Sequence, residues 1–125
     1  MSKIADAFAA SPNGKASIPF ITAGDPTLDV TEKLVLAMAD AGADLIELGI
    51  PFSDPTAEGP VIQEANLRAL RNRVTTDDVF AMVGRVREQS DVPLVIMTYA
   101  NVVYSYGIER FAARQAELGM GGVIL

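Results

Sequence analysis

Short apolar segments alternate along this chain with segments of helical period, and this alternation constrains the fold more than any other feature. The apolar segments lie at 18–22, 45–50, 92–98 and 122–125. Because they are apolar on both faces, they are typical of parallel strands covered on two sides. Parallel strands need a crossover, usually a helix, and such crossovers are right-handed. The sequence therefore predicts an α/β fold built on a parallel sheet.

Helices are predicted before the first strand and between the others, at 2–10, after Asp25-Pro26, from Pro60, after Thr75 and at 107–118. We expect Asp25 to cap the second helix, with Pro26 in its first turn. The face of that helix predicted to meet the core has helical spacing and consists of Val30, Leu34, Ala37, Met38 and Ala41. The corresponding residues are Val79, Met82, Val83 and Val86 in the helix after Thr75, and Ile108, Phe111 and Ala112 in the last helix.

Composition limits the chemistry that the chain can perform. It has 125 residues, of which 50% are hydrophobic, and a formal net charge of −6. Cysteine and histidine are both absent from the sequence. This excludes thiolate nucleophiles and disulfides, and it removes the commonest general base and metal ligand. Proton transfer must then depend on carboxylates, lysines or tyrosines, and no metal site is predicted.

Nucleic acids and membranes are disfavoured as partners. Basic side chains are outnumbered and scattered, whereas binding to nucleic acid needs them clustered. No apolar run approaches the roughly 18 to 20 residues of a membrane-spanning helix. An acid, Asp6, interrupts the stretch in which a signal peptide would be apolar. We expect a cytoplasmic protein that binds neither.

The fourth apolar segment runs to the last residue, Leu125, and no helix follows to cover it. A sheet with a bare strand and an unpaired edge invites association. We interpret residues 1–125 as one incomplete domain, the first four strands of a parallel (β/α)₈ TIM barrel of about 250 residues. An open doubly wound sheet is the alternative, but no Gly-x-Gly-x-x-Gly follows the first strand.

Four acids fall near the carboxyl ends of predicted strands or in the loops after them, where barrels carry their reactive groups. They are Asp25, Glu47, Asp54 and Glu58. Asp25 is expected to be a helix cap. Asp54, within Ser53-Asp54-Pro55, is expected to form a turn or to contact a partner. Neither of these two identifies an enzyme.

Glu47 differs because it lies inside an otherwise apolar strand, where an ionised carboxylate is costly unless it is paired. In one interpretation the side chain points outward and pairs with an arginine on a helix. In the other it faces the mouth of the barrel, where apolar surroundings favour the neutral acid and suit it to exchange a proton near neutral pH. The strand pattern leaves both open. No lysine lies on a predicted strand, which disfavours a Schiff base.

Five segments carry a resemblance to a known family. They read PFITAGDP at 19–26, AGADLIELGIPFSDP at 41–55, GPVIQ at 59–63, TYAN at 98–101 and YGIERF at 106–111. Together they resemble the tryptophan synthase alpha subunit, in its amino-terminal half. The stretch from Glu47 to Gln63 is the most specific part.

The resemblance implies a (β/α)₈ barrel that cleaves indole-3-glycerol phosphate to indole and glyceraldehyde 3-phosphate in tryptophan biosynthesis. The indole passes to a beta subunit within an alpha2-beta2 heterotetramer. The alpha subunit uses no cofactor in this family, and pyridoxal phosphate (PLP) belongs to the beta subunit. Glu47 matches the catalytic glutamate, which moves a proton at the indole carbon whose bond to the glycerol chain breaks.

Glu58 departs from the family, which carries an aspartate there that is held responsible for the indole N–H. One extra methylene moves the carboxylate by roughly an ångström, and such a displacement can cost about a hundredfold in rate. Unless the loop shifts, Glu58→Asp is expected to raise activity. By the same resemblance, the indole pocket is lined by Phe20, Met97 and Tyr99, and the beta subunit contacts the loop around Asp54 and Pro55.

Ordinary core packing explains the residue types of Phe20 and Met97 equally well. Barrels commonly hold a substrate phosphate in loops after strands seven and eight, which 125 residues cannot contain. The isolated chain is therefore expected to be inactive. One alternative is a non-catalytic half-barrel that self-associates or binds a beta subunit. Another barrel enzyme with a phosphate substrate is a third possibility, disfavoured by the segment from Glu47 to Gln63.

Overall fold

A computed structural model describes residues 2–125, in which every strand pairs in parallel with its neighbour, in the order β1-β2-β3-β4. The predicted parallel α/β sheet is confirmed. The elements are α1 (Lys3–Ala10), β1 (Phe20–Thr22), α2 (Leu28–Asp40), β2 (Ile46–Gly49), α3 (Pro60–Leu70), α4 (Thr76–Arg87), β3 (Leu94–Met97), α5 (Ala100–Tyr106), α6 (Ile108–Glu117) and β4 (Gly122–Ile124), with a 3₁₀ turn at Pro12–Gly14.

The sheet has two different faces because side chains alternate along each strand. Ile46 and Leu48 of β2 are fully buried among side chains of α2 and α4, so their side is the helix-covered face. Glu47 and Gly49 project from the opposite side, here named the inner face. In register with Glu47 lie Phe20 of β1 and Val95 of β3. The strand order therefore sets side chains from three strands side by side in one row.

Helix α4 forms as the sequence predicts. Thr75 and Asp78 make a reciprocal capping box, in which each side chain accepts a hydrogen bond from the backbone N–H of the other. The predicted core residues are fully buried; they are Val79, Met82, Val83 and Val86. This helix covers β2 and β3 and separates the sheet from solvent on that side.

The predicted core face of α2 is confirmed only in part. Met38 packs against the core and Val30 is partly buried. Leu34 is 40% exposed and Ala37 and Ala41 are also exposed, so these three predictions are wrong. The fully buried residues of this helix are Val35 and Thr31. Thr31 is tolerated in the core because its hydroxyl accepts from the Gly24 N–H and donates to the Thr27 carbonyl, both at 3.0 Å. Since the prediction counted apolar side chains alone, it omitted this threonine and rotated the face.

Two further differences concern the segment after β3. Helix α5 was not predicted: it is only seven residues long, and its apolar side chains Val102, Val103 and Tyr106 pack against the core without being fully buried. In α6 the inward position of Phe111 is confirmed, and its ring packs edge-on against Phe80 with centroids 5.2 Å apart. Ile108 is 55% exposed and Ala112 is also exposed, so the prediction that they point inward is wrong.

Substitutions in α2 distinguish the observed core face from the predicted one. Val35→Ala should lower the free energy of unfolding by about 2 kcal/mol, because it removes two buried methyl groups and leaves a cavity. Leu34→Ala should change the free energy by less than about 0.5 kcal/mol, since the side chain is largely in water. Urea unfolding of both variants measures the difference, and a larger loss for Leu34→Ala would contradict the packing described above.

Candidate active site at the carboxyl ends of the strands

A cleft of about 180 Å³ opens where β1, β2 and β3 end. Its walls are mostly apolar and its few polar groups come from neighbouring loops and from α3, which is the usual character of a small-molecule site. The residues around it are Phe20, Gly49, Ile50, Ala57, Glu58, Ile62, Asn66, Met97, Thr98, Tyr99, Ile124 and Leu125.

Gly49 makes room for one wall of this cleft. A Cβ atom at Gly49 would lie 2.7 Å from Cζ and 3.0 Å from Cε2 of Phe20. The Phe20 ring therefore lies against the bare backbone of β2, on the inner face. Met97, in register with Gly49, contributes the next wall. Phe20 and Met97 thus border the cleft rather than the helix-covered core.

Glu47 lies one row below the cleft. It projects from the inner face two residues before Gly49, which is about 6 to 7 Å along the strand. Its neighbours in register are Phe20 and Val95, and its side chain is partly buried. The Glu47 side chain is not one of the cleft walls.

The interpretation that Glu47 points outward to a helix arginine is excluded by this placement. The arginine ion pairs within residues 2–125 go to other acids, namely Asp25, Glu32, Asp77 and Glu117. Glu47 is on the face that the catalytic interpretation requires.

Glu58 and Tyr99 meet at the rim of the cleft. The Tyr99 hydroxyl accepts a hydrogen bond from the Ala57 N–H at 2.9 Å and donates one to the Glu58 carboxylate. The Gln63 side-chain amide donates to the Glu58 carbonyl oxygen at 2.8 Å. Despite its extra methylene, the Glu58 side chain borders the cleft; Tyr99 holds its carboxylate and Gln63 holds its backbone carbonyl.

Asp54 and Pro55 lie in the same loop but outside the cleft. Asp54 is exposed and accepts a hydrogen bond from the Ser53 hydroxyl at 2.9 Å, and Pro55 is partly buried. This local bond fits the expected role of Asp54 in a turn. Solvent reaches Asp54 and, in part, Pro55.

Helix α3 lies across the end of β1 and is fixed there by Asp25. Arg68 of α3 donates two hydrogen bonds to the Asp25 carboxylate, at 2.8 and 3.0 Å. These bonds raise the pKa of the Arg68 guanidinium above its usual value. The expectation that Asp25 caps α2 is wrong, because Thr27 is the cap and accepts from the Val30 N–H at 3.2 Å. The Asp25-Pro26 peptide is cis, and α2 begins only after it.

Sequence reasoning missed several groups at this site. Asn66 is buried on α3 and faces the cleft, and its position four residues after Ile62 on the apolar face was the available signal. No feature of the sequence indicated the bond from the Ala57 N–H to Tyr99 or the ion pair of Arg68 with Asp25. Each depends on a contact between distant parts of the chain. Over residues 2–125, no cluster of three or more acidic side chains suits a metal ion. In the same part of the chain, no helix is long and apolar enough to cross a bilayer.

The fold and the cleft together define a class. Parallel strands in sequential order, helices on one face and a cleft at the carboxyl ends of the strands are the arrangement of the first half of a (β/α)₈ barrel. The family model "Tryptophan synthase alpha chain" matches residues 7–125. The chain belongs to the tryptophan synthase alpha chain family.

Individual relatives agree with this assignment. The alpha chains of Geotalea uraniireducens and Leptothrix cholodnii are 52% and 54% identical to it; the alignments cover 100% of this chain and 48% and 47% of theirs. The crystal structure of the alpha subunit from Legionella pneumophila strain Paris has a TM-score of 0.93 at 43% identity, over 100% of this chain and 49% of that one.

The tryptophan synthase complex from Pyrococcus furiosus also matches, with a TM-score of 0.81 at 44% identity, over 86% of this chain and 44% of that one. The chain thus spans about half the length of the curated relatives and solved structures it matches.

A methyl group at Gly49 tests the position of the Phe20 ring. Gly49→Ala should lower the free energy of unfolding by about 1 to 3 kcal/mol, because the ring must leave its place against the backbone. The loss should shrink when Phe20→Leu is combined with it. Gly122→Ala is the matched control, since nothing lies within 4 Å of a Cβ atom there. Equal losses at Gly49 with and without Phe20, measured by urea unfolding, would contradict this placement.

Proposed function

We propose that this chain is the amino-terminal half of an alpha subunit that cleaves indole-3-glycerol phosphate to indole and glyceraldehyde 3-phosphate. The observation that carries the proposal is the meeting of Glu58 and Tyr99 with the apolar walls Phe20 and Met97 at one cleft, above Glu47 on the same face. Flat apolar walls suit an indole ring, and a carboxylate at the rim suits its N–H. Residues 1–125 form one incomplete barrel domain in this proposal.

The reaction needs proton movements at two atoms of the indole ring. A proton is added at the carbon that bears the glycerol chain while the ring N–H proton is lost. The carbon–carbon bond then breaks and its electron pair returns to the ring, whose nitrogen takes back a proton, while the glycerol hydroxyl next to the broken bond gives up its proton and becomes the aldehyde. We assign the proton at the ring carbon to Glu47 and the interaction with the N–H to Glu58. Glu47 lies on the inner face one row below the cleft and Glu58 lies at its rim, which supports this division.

The Glu47 assignment depends on the surroundings that the fold provides. Phe20 and Val95 flank Glu47 in register on the inner face, and its partly buried side chain lies one row below the cleft. Proton transfer at the ring carbon needs a carboxyl group within reach of that carbon. Glu58, at the rim of the cleft, accepts a hydrogen bond from the Tyr99 hydroxyl and is placed to meet the ring N–H.

The partner in this proposal is a beta subunit that receives the indole. The relative from Pyrococcus furiosus is described as an a2b2 complex, which supports an alpha2-beta2 assembly. We place Asp54 and Pro55 in the contact, because both lie in the loop that borders the cleft without lining it, and Asp54 is exposed. The alpha subunit uses no cofactor of its own, and PLP belongs to the beta subunit. A cytoplasmic location stays a prediction.

The remaining barrel strands and the loops for the phosphate come from the other half of the subunit in this proposal. Experiments therefore use a completed subunit, in which residues 1–125 are joined to the remaining half of the Geotalea uraniireducens relative. Binding of the phosphate positions the reacting carbon, so the 125-residue chain alone is expected to show no cleavage. An unsubstituted completed subunit that fails to cleave indole-3-glycerol phosphate would overturn the proposal.

Replacing Glu47 by glutamine removes the proton and keeps the shape. In the completed subunit, Glu47→Gln should lower kcat for cleavage by at least about a hundredfold, because general acid–base catalysis contributes that much or more. KM should change by less than about threefold, since both residues leave the cleft walls intact. Glu88→Gln, at an exposed site at the end of α4, is the control. Turnover by Glu47→Gln close to that of the control would remove Glu47 from the mechanism.

Glu58→Asp tests whether the longer acid is misplaced. The Glu58 carboxylate already reaches both the cleft and the Tyr99 hydroxyl, so shortening it by one methylene should lower kcat/KM by roughly tenfold. Steady-state assays of the completed subunit with and without the substitution measure this change. A gain in kcat/KM would mean that the extra methylene holds the carboxylate in the wrong place.

A further inference from the structure

The loop from 51 to 59 carries Glu58 and has little structure of its own. It joins β2 to α3 without a helix or strand, and most of its residues from Ser53 onward are exposed. A carboxylate on such a loop has no fixed position unless other elements hold it. Three groups outside the loop supply this support: the Tyr99 hydroxyl, the Tyr99 ring and the Gln63 side-chain amide.

The hydroxyl group of Tyr99 bridges two points of the loop. It accepts from the Ala57 N–H and donates to the Glu58 carboxylate, so one oxygen fixes the backbone and the side chain of consecutive residues. The Tyr99 ring also packs against Phe52 at the start of the loop, with centroids 5.1 Å apart. The third contact, from the Gln63 amide to the Glu58 carbonyl, comes from α3.

Tyr99 itself has a fixed position because it directly follows the buried end of β3. Thr98 is buried, and its N–H donates to the Ile124 carbonyl of β4 at 3.0 Å. The position of the hydroxyl is therefore determined by the sheet, whereas the position of Glu58 depends on the loop. A hydrogen bond to an ionised group is stronger than one between neutral groups, and it is directional.

From these contacts we infer that Tyr99 is a positioning residue. Its hydroxyl is held in place by the sheet and in turn holds the Glu58 carboxylate in a fixed position. The length of Glu58 is part of this arrangement, because the hydroxyl bonds the Ala57 N–H and the carboxylate at the same time. A shorter acid would break this bridge unless the loop moved. This inference rests on the proposed function and assigns Tyr99 a second role beyond that of a wall of the cleft.

Tyr99→Phe separates the two roles, since it keeps the ring and removes only the hydroxyl. In the completed subunit it should lower kcat for indole-3-glycerol phosphate cleavage by about ten- to a hundredfold, the range expected for a misplaced catalytic group. KM should change by less than about threefold because the wall remains. The control is Tyr104→Phe, the same chemical change at a tyrosine that is 70% exposed on α5.

A double-mutant cycle connects Tyr99 to Glu58. If the hydroxyl acts through the carboxylate, then adding Tyr99→Phe to a Glu58→Gln subunit should lower kcat by less than about twofold further. The inference is overturned if the two effects multiply, if Tyr99→Phe keeps kcat within about twofold of the parent, or if it raises KM alone.

Amide hydrogen exchange tests the bridge independently of activity. In Tyr99→Phe the backbone N–H of Ala57 should exchange faster. The backbone N–H of Gln63, which donates to the Gly59 carbonyl at 3.1 Å, should keep its protection. Unchanged exchange at Ala57 overturns the inference, as does loss of protection throughout α3, which would make Tyr99 a general support of the fold. If the parent subunit does not cleave the substrate, the proposed function fails and the exchange at Ala57 alone decides the inference.

Discussion

Side chains alternate between the two faces of each parallel strand, and helices cover only one of these faces. The rest of this structure depends on this constraint. It buries Ile46 and Leu48 under α2 and α4, and it therefore turns Glu47 and Gly49 to the inner face. A shift of one residue would place the acid under the helices, where a carboxylate has no partner. This register places Glu47 on the face that its proposed catalytic role requires.

The site is assembled from elements of unequal rigidity. The strands fix Phe20, Met97 and Tyr99, since each lies in or next to a paired strand. Helix α3 is fixed across the barrel mouth by the bidentate bond between Arg68 and Asp25. The loop between them, with Glu58, depends on both supports. The walls of the cleft are thus fixed by strands, whereas the Glu58 carboxylate beside them is held by its hydrogen bond to Tyr99.

The fold and the site differ in how far the sequence determines them. The parallel sheet and the buried face of α4 were predictable, because apolar runs and helical spacing report directly on burial. The face of α2 was not, since Thr31 enters the core through hydrogen bonds that a count of apolar residues ignores. The role of Asp25 was mistaken for a similar reason: its partner, Arg68, is far away in sequence. The candidate site residues were identified from a family resemblance and from Glu47, an acid within an apolar strand. The hydrogen bond between Tyr99 and Glu58 is visible only in the structure.

A crystal structure of the completed subunit with bound indole is the most direct measurement of the central claim, that Glu47 on the inner face and Glu58 at the rim of the cleft act on a single ring. We expect the ring between Phe20 and Met97, with its nitrogen about 2.7 to 3.2 Å from a Glu58 carboxylate oxygen. The ring carbon that bears the glycerol chain in the substrate should face Glu47. A ring bound with its N–H away from Glu58, or with Glu47 screened from it by the Phe20 side chain, would contradict the account.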